Sequence, residues 1–350
     1  MAVGVVYDEV FTRSGPAWHF DTASRLLLTR DRLLATEAAG ASLWDRLVRV
    51  PTHAAPPALI ELIHESTYVD EIRMLSELGG EELDHETVVC PWTFDAACHA
   101  AGGAVAATAG IVRGELDAAF CLTRPPGHQA LVDRPGGGCI FNTAAIAAAF
   151  ALRDLDLRRV AVVDLDARHG IGTQSAFYTT RAVLYCSLHQ YPLAPGTGAL
   201  AEVGSGEGQG YTINLPLPVG ARDEHALRCL EEVICPTLAR LYEPELIIVS
   251  VGFAGHARDH STDLLMSEQC YHAMTRSLME VAGAICSGKL LLVLEGGYDR
   301  EVAPLCAHNV CLALHGMPPT PVDRSALLPE GPEIPDLDGL VSRAIEFHTA

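Results

Sequence analysis

RVAVVDLD, residues 159–166, is a short β-branched run that closes on two aspartates. A run of this length with no polar face reads as a strand buried on both sides of a parallel sheet, with its polar chemistry at the carboxyl end. Runs of the same kind recur as VGVVYD (3–8), AAFCLT (118–123), VLYCSLH (183–189), LIIVSVGF (246–253) and KLLLVLEGGY (289–298). Helical patterns lie between them, near 22–37, 57–78, 92–113, 141–153, 222–241, 267–286 and 301–315. This alternation predicts one doubly wound α/β domain, a mainly parallel sheet with helices on both faces. The domain is expected over residues 1–316. Residues 317–350 are expected to form a Pro-rich wrap and a last amphipathic helix, DLDGLVSRAIEFH, packed on the same domain.

Composition narrows the function. Lys and Arg number 24 against 44 Asp and Glu, a formal net charge of −20, and no basic stripe interrupts the acidic surface. Direct binding to nucleic acid or to an anionic membrane is therefore not expected. The apolar runs are too short to span a bilayer and the first residues do not read as a secretory leader, so a cytoplasmic protein is expected. The 11 cysteines include no CxxC pair and mostly sit in apolar runs, as reduced core thiols do.

Five polar clusters follow predicted strands: RPPGHQA (124–130), DLDARHG (164–170), SLHQYP (187–192), GFAGHARDH (252–260) and EGGYD (295–299). In open parallel sheets ligands bind beyond the carboxyl ends of the strands. Five loops should therefore meet at one site.

The ordered motifs RPPGHQA, GGGCIFN (136–142), DLDARHGIGTQ (164–174), SLHQYP with PGTG (195–198), NLPLP (214–218), VSVGFAGH (249–256) and LEGGYD (294–299) carry a resemblance. Over residues 4–316 the chain resembles the histone deacetylase and acetylpolyamine amidohydrolase family, with its arginase-deacetylase fold. The resemblance implies a zinc ion held by an Asp and a His after the DLDxH strand and by a second Asp in the GFDxH loop. It further implies a tandem His pair for acid and base work and a Tyr that stabilises the oxyanion. Asp166 stands at the first zinc ligand, but Arg168 and Ala254 stand at the other two, and the His pair reads His128–Gln129. A guanidinium has no lone pair for a cation, and one carboxylate does not hold zinc.

The expectation drawn from this is a protein with no catalytic zinc and no other catalytic cofactor. Arg168, balanced by Asp166, would sit where zinc lies in the family and act as a fixed hydrogen-bond donor. His128, oriented by Asp164, would move protons, with Tyr298 and His169 completing the catalytic group. Gln129, Gly138, Phe141, Asp166, Ala254, Gly296 and Gly297 are expected to line the substrate pocket. Gly138, Leu193 and Ala194 would widen its tunnel for a bulky small-molecule or carrier-bound acyl substrate. An acidic carrier would need a basic patch, for which Arg13, Arg25 and Arg134 are candidates. The resemblance also implies a structural potassium site formed by Asp164, Asp166, Ser187 and the carbonyls of Arg168 and Leu188. His256 and His260, spaced i, i+4, are read as family loop positions, not metal ligands.

The leading expectation is a metal-independent acid/base enzyme for dehydration, isomerisation, cyclisation or ester and thioester cleavage. An inactive pseudo-deacetylase that binds or regulates is the alternative. The third reading is a zinc amidohydrolase with rearranged ligands, with His169 or His256 joining Asp166. Oligomerisation is left open.

Overall fold

The computed structural model describes residues 1–13, 15, 21–321 and 337–349. Eight parallel strands form one sheet: β1 Val3–Val6, β2 Val48–Val50, β3 Ala118–Cys121, β4 Val160–Asp164, β5 Val183–Gln190, β6 Thr212–Leu217, β7 Leu246–Val251 and β8 Leu290–Leu294. Their order across the sheet is β6-β5-β4-β7-β8-β3-β1-β2. All six sequence-predicted strands are present, and β4, read from RVAVVDLD, lies within the sheet between β5 and β7.

Two strands escape the sequence reading because both lie at an edge. β2 has three residues, too few for a periodic signal. β6 contains Pro216, which reads against a strand, but an edge position tolerates the missing N–H.

Helices Ser24–Ala35, Thr93–Val112, Thr143–Asp154, Glu268–Ile285 and Val302–Leu314 fall where their apolar periodicity places them. The pattern at 57–78 divides into Pro57–Ile60 and Ser66–Glu77. The pattern at 222–241 begins as an α-helix over Asp223–Cys229 and widens into π-helical turns through Tyr242. The Pro-rich wrap lies largely outside the described residues. The last helix, Leu337–Thr349, packs beside β6, where His348 Nε2 lies 2.8 Å from the Asn214 carbonyl.

The interior strands are buried on both faces, as their unbroken apolar runs require: every residue of β3, β4, β7 and β8 is buried. A second, smaller core gathers Ile60, Tyr68, Ile72, Ile140, Phe141 and Ile146 beneath the helices at 57–77. No described helix is long and apolar enough to cross a membrane. Because every strand of the sheet runs the same way, all carboxyl ends open on one rim. The polar loops quoted above stand along that rim.

Truncating Phe120, fully buried on interior strand β3, should cost about 3–5 kcal/mol. A Phe120→Ala protein is expected to melt well below the parent in a thermal unfolding scan.

Candidate active site

The rim is organised by carboxylates that are buried and fully engaged. β4 ends at Asp164, whose register partners are Ser187 on β5 and Ser250 on β7. Asp164 Oδ2 lies 3.0 Å from His128 Nδ1 and accepts the Tyr185 hydroxyl at 3.1 Å, while Oδ1 accepts the Asp166 N–H at 3.2 Å. His128 and Asp164 therefore form a buried pair. Burial, the largest single influence, would depress the imidazole, but the charge and hydrogen bond of Asp164 together with the Glu295 and Asp166 charges outweigh it and lift His128 to about 10.

Two residues on, Asp166 sits in a cradle that only glycine permits. A Cβ built at Gly252 would stand 1.6 Å from Asp166 Oδ2, and one at Gly296 would stand 2.6 Å away. Oδ2 accepts the Gly296 N–H at 2.7 Å and Oδ1 accepts the Arg168 N–H at 2.9 Å. Burial nonetheless raises the Asp166 carboxyl above its ordinary range.

The Arg168 side chain departs from the expected place. Its Nη1 makes a two-pronged contact with Glu86, at 2.7 and 2.9 Å from the two carboxylate oxygens. Asp166 receives only its backbone N–H. The expected charge balance between Arg168 and Asp166 is thus corrected to an Arg168–Glu86 pair. The physical reason is that Asp166 already has its donors inside the glycine cradle, while Glu86 comes within reach on the ribbon that joins Glu81–Glu82 to Val88–Val89. Nothing in the spacing of DHETVV signals that contact. The Asp84 turn that holds Glu86, through the Glu86 and Thr87 N–H groups at 2.7 and 2.8 Å, is the one local sign in the sequence.

A cavity of about 300 Å³ opens here, lined by Glu86, Arg168, Asp259, His260, Ser261, Tyr298 and Asp299. Neither Gly138 nor Leu193 nor Ala194 lines it, so the widened tunnel is not seen there. Gly138 instead donates its N–H to Thr87 Oγ1 at 3.1 Å. Tyr298 reaches the cavity because Asp259 Oδ2 accepts its N–H at 2.6 Å and that of Asp299 at 3.1 Å. Burial pushes the Tyr298 phenol up, so it keeps its proton and can donate.

Several other expected site residues serve the framework. Both ring nitrogens of His169 are engaged, Nδ1 with Thr197 Oγ1 at 2.8 Å and Nε2 with Gln174 Oε1 at 3.1 Å. Burial pushes His169 down to about 4. His256 is likewise engaged, Nε2 with Glu268 at 3.3 Å and Nδ1 accepting the Arg258 N–H, within a turn and not a helix. Neither histidine can join Asp166 at a metal. Phe141 packs edge-on against Tyr68 and Phe94 in the smaller core, with no face left for substrate. Gln129 Nε2 donates to the His169 carbonyl, and its Oε1 fills the space where a Cβ on Gly137 would be. Ala254 is buried and Thr262 donates to its carbonyl at 2.7 Å. Gly297, at φ +96, allows the chain to pass Phe253.

Of the proposed basic patch, Arg25 is buried. Its Nη1 donates to the carbonyl of Glu295 at 2.5 Å and lies within 3.4 Å of those of Gly296 and Gly297. Asp21 Oδ1 pairs with both Arg25 and Arg124 at 2.8 Å. Arg134 pairs with Asp133 at the surface, and Arg13 lies over the Trp92 ring. The three arginines thus have separate roles.

The family zinc position does not fit a metal in this chain, since Arg168 turns to Glu86 and Ala254 offers no donor. The same rim, however, brings together a different donor set. His128, Cys139 and Glu295, all buried, present ligand atoms within 4.8 Å of one another. Nitrogen, sulfur and carboxylate oxygen are the donors that zinc takes. The expectation of no catalytic cofactor is therefore corrected. His128 and Cys139 come from the one segment between β3 and the helix Thr143–Asp154, and Glu295 comes from the end of β8, so no local spacing brings all three together. The carboxylate of Glu295 is oriented by Gly127 N–H at 2.8 Å, His128 N–H at 3.1 Å and the Ser250 hydroxyl at 2.9 Å.

The chain is similar to known proteins over most of its length. A model of the histone deacetylase domain matches residues 19–314. A probable deacetylase of Archaeoglobus fulgidus is 36% identical over 304 residues, covering 87% of this chain and 83% of the relative. A histone deacetylase-like amidohydrolase of Pseudomonas aeruginosa is 34% identical over 275 residues, 77% of this chain and 72% of the relative. The crystal structure of the HDA15 HD domain superposes with a TM-score of 0.87 at 28% identity, covering 99% of this chain and 94% of that one.

If the backbone at 166–168 and 254 keeps the family arrangement, the zinc position can be rebuilt. In a Cys139→Ser background, Arg168→His, Ala254→Asp and Gln129→His together should raise bound zinc to about one ion per chain. Elemental analysis after gel filtration checks this. A folded variant without zinc would mean that the loops have moved.

Proposed function

The chain belongs to the histone deacetylase family, and on that footing we propose that it cleaves acyl bonds with a metal ion held by His128, Cys139 and Glu295. The observation that carries this reading is the buried meeting of those three side chains. A zinc ion held there would supply a Lewis acid for an acyl carbonyl.

The chain's own residues supply the rest. Asp164, 3.0 Å from His128 Nδ1, accepts the N–H of that nitrogen and leaves Nε2 as the ligand atom, as carboxylates behind metal-binding histidines do. Burial and the neighbouring Glu295 charge push the Cys139 thiol up, so it loses its proton only in favour of a cation. Asp166, buried and raised, holds or gives up the proton of the cleavage step. Tyr298 donates to the acyl oxygen. Arg168 and Glu86 line the entrance, where the cavity accepts the part of the substrate beyond the acyl group.

The His128–Asp164 contact also favours a second reading, in which His128 is the proton carrier of the cleavage and not a ligand.

One set of variants separates the two. Under the first reading, Cys139→Ser lowers bound zinc and hydrolysis of acyl amides and esters together, and Asp164→Asn weakens zinc about 10–100-fold. Under the second, Cys139→Ser retains activity while His128→Ala loses it by about 100-fold or more. Zinc content equal in parent, His128→Ala and Cys139→Ser proteins would sink the metal reading.

A further inference from the structure

The amino ends of the same strands carry a second concentration of chemistry, on the rim opposite the site above. Arg158 and Arg159 lead into β4, Arg181 precedes β5, Tyr211 precedes β6, and Leu241 and Tyr242 precede β7. Because the strands are parallel, these residues share one rim. They line a recess of about 270 Å³, with Ala182. A larger cavity of about 540 Å³ adjoins it through Tyr211, Leu241 and Tyr242, and extends to Phe347 and His348 of the last helix.

Three arginines in one recess are unusual for a chain whose net charge is −20. Among the described residues, no carboxylate oxygen lies within 4 Å of a nitrogen of these three guanidinium groups. The acids nearby in sequence are turned to other work. Glu245 Oε2 accepts the backbone N–H groups of Arg158 and Arg159 at 2.6 and 3.1 Å, and Arg159 Nε donates to the Glu243 carbonyl at 3.0 Å. That last bond fixes the Arg159 side chain and leaves its two terminal nitrogens without a protein partner among the described residues. The left-handed turn at Glu243, φ 49, brings Tyr242 over the recess, and the Tyr242 hydroxyl donates to the Arg181 carbonyl at 3.2 Å.

The apolar side is equally open. Leu241 is 80% exposed and Phe347 49% exposed, and between them the Tyr211 and Tyr242 rings meet edge to face at 5.8 Å. Guanidinium groups suit phosphate, which they bind through paired N–H donors. Aromatic rings and a leucine beside them suit an apolar or flat body.

We propose that this recess binds an organic phosphate: the phosphate on Arg158, Arg159 and Arg181, and its apolar or aromatic body across Leu241 and Tyr211 toward Phe347. Two sources share that chemistry, a nucleotide with its ring and an alkyl phosphate of lipid type with its chain. The site lies apart from the catalytic rim by the length of the sheet, so its occupancy does not depend on the acyl chemistry proposed above.

The test is calorimetric titration of the full chain with adenosine diphosphate, dodecyl phosphate below its micelle concentration, and inorganic phosphate. At least one organic probe should saturate, and bind about tenfold or more tightly than inorganic phosphate. Tighter adenosine diphosphate identifies the nucleotide source, and tighter dodecyl phosphate the lipid source. The paired exposed substitutions Arg158→Glu and Arg181→Glu should weaken every probe by about tenfold or more. Leu241→Ser, which removes apolar surface without adding charge, should weaken the organic probes and spare inorganic phosphate, and His128→Ala should change none. Absence of saturation by either organic probe, equal binding of organic and inorganic phosphate, or unchanged binding by the charge-reversed protein would overturn the proposal.

Discussion

The rim of this protein depends on a carboxylate that water cannot reach. Glu295 is fully buried at the end of β8, and burial raises its proton affinity. Leaving such a group without partners would cost several kcal/mol. Its two oxygens accept from Gly127, His128 and Ser250, so the loop after β3 and the end of β7 are drawn onto the end of β8. On the other side, Arg25 binds the carbonyl of the same residue. The backbone that carries His128 and the backbone that carries Tyr298 are thus fixed by one residue. With Cys139 alongside, that residue is also a potential ligand.

The glycine cradle around Asp166 sets a second limit. With Gly252 and Gly296 closed around its carboxylate, Asp166 can use backbone N–H groups but has little room for a guanidinium. Arg168 must find its counter-charge elsewhere, and the Glu86 ribbon provides it at the protein surface side of the site. Both side chains of that pair are about one-fifth exposed, so the pair contributes little to stability. Its effect is spatial: it occupies the entrance and shapes the cavity shared with Tyr298. The Arg168–Glu86 pair therefore leaves an organised entrance, not an open hole.

A parallel sheet has two chemically different rims. Here the carboxyl rim is acidic, buried and crowded with engaged histidines, while the amino rim carries exposed arginines and aromatic rings. A protein with a large negative charge repels anions in general, so local arginine density is what makes the amino rim distinctive.

The sequence by itself determined six of the sheet's eight strands and the family. RVAVVDLD and its sister runs are legible because a strand buried on both faces must be apolar throughout, and a single residue type is enough to see it. The five polar clusters that follow predicted strands were placed on one rim for a related reason, since loop position follows strand direction. The resemblance also led the sequence reading to expect Asp166, Arg168 and Ala254 at the family's ligand positions. Only the tertiary structure decided the partners. Glu86 lies 82 residues from Arg168, and Glu295 lies 167 residues from His128. His169 and Phe141 have the right residue types for a site, yet hydrogen bonds and packing commit them to the framework. Side-chain pairing across such separations is set by where loops land and which donors are already taken. Local spacing carries no record of either.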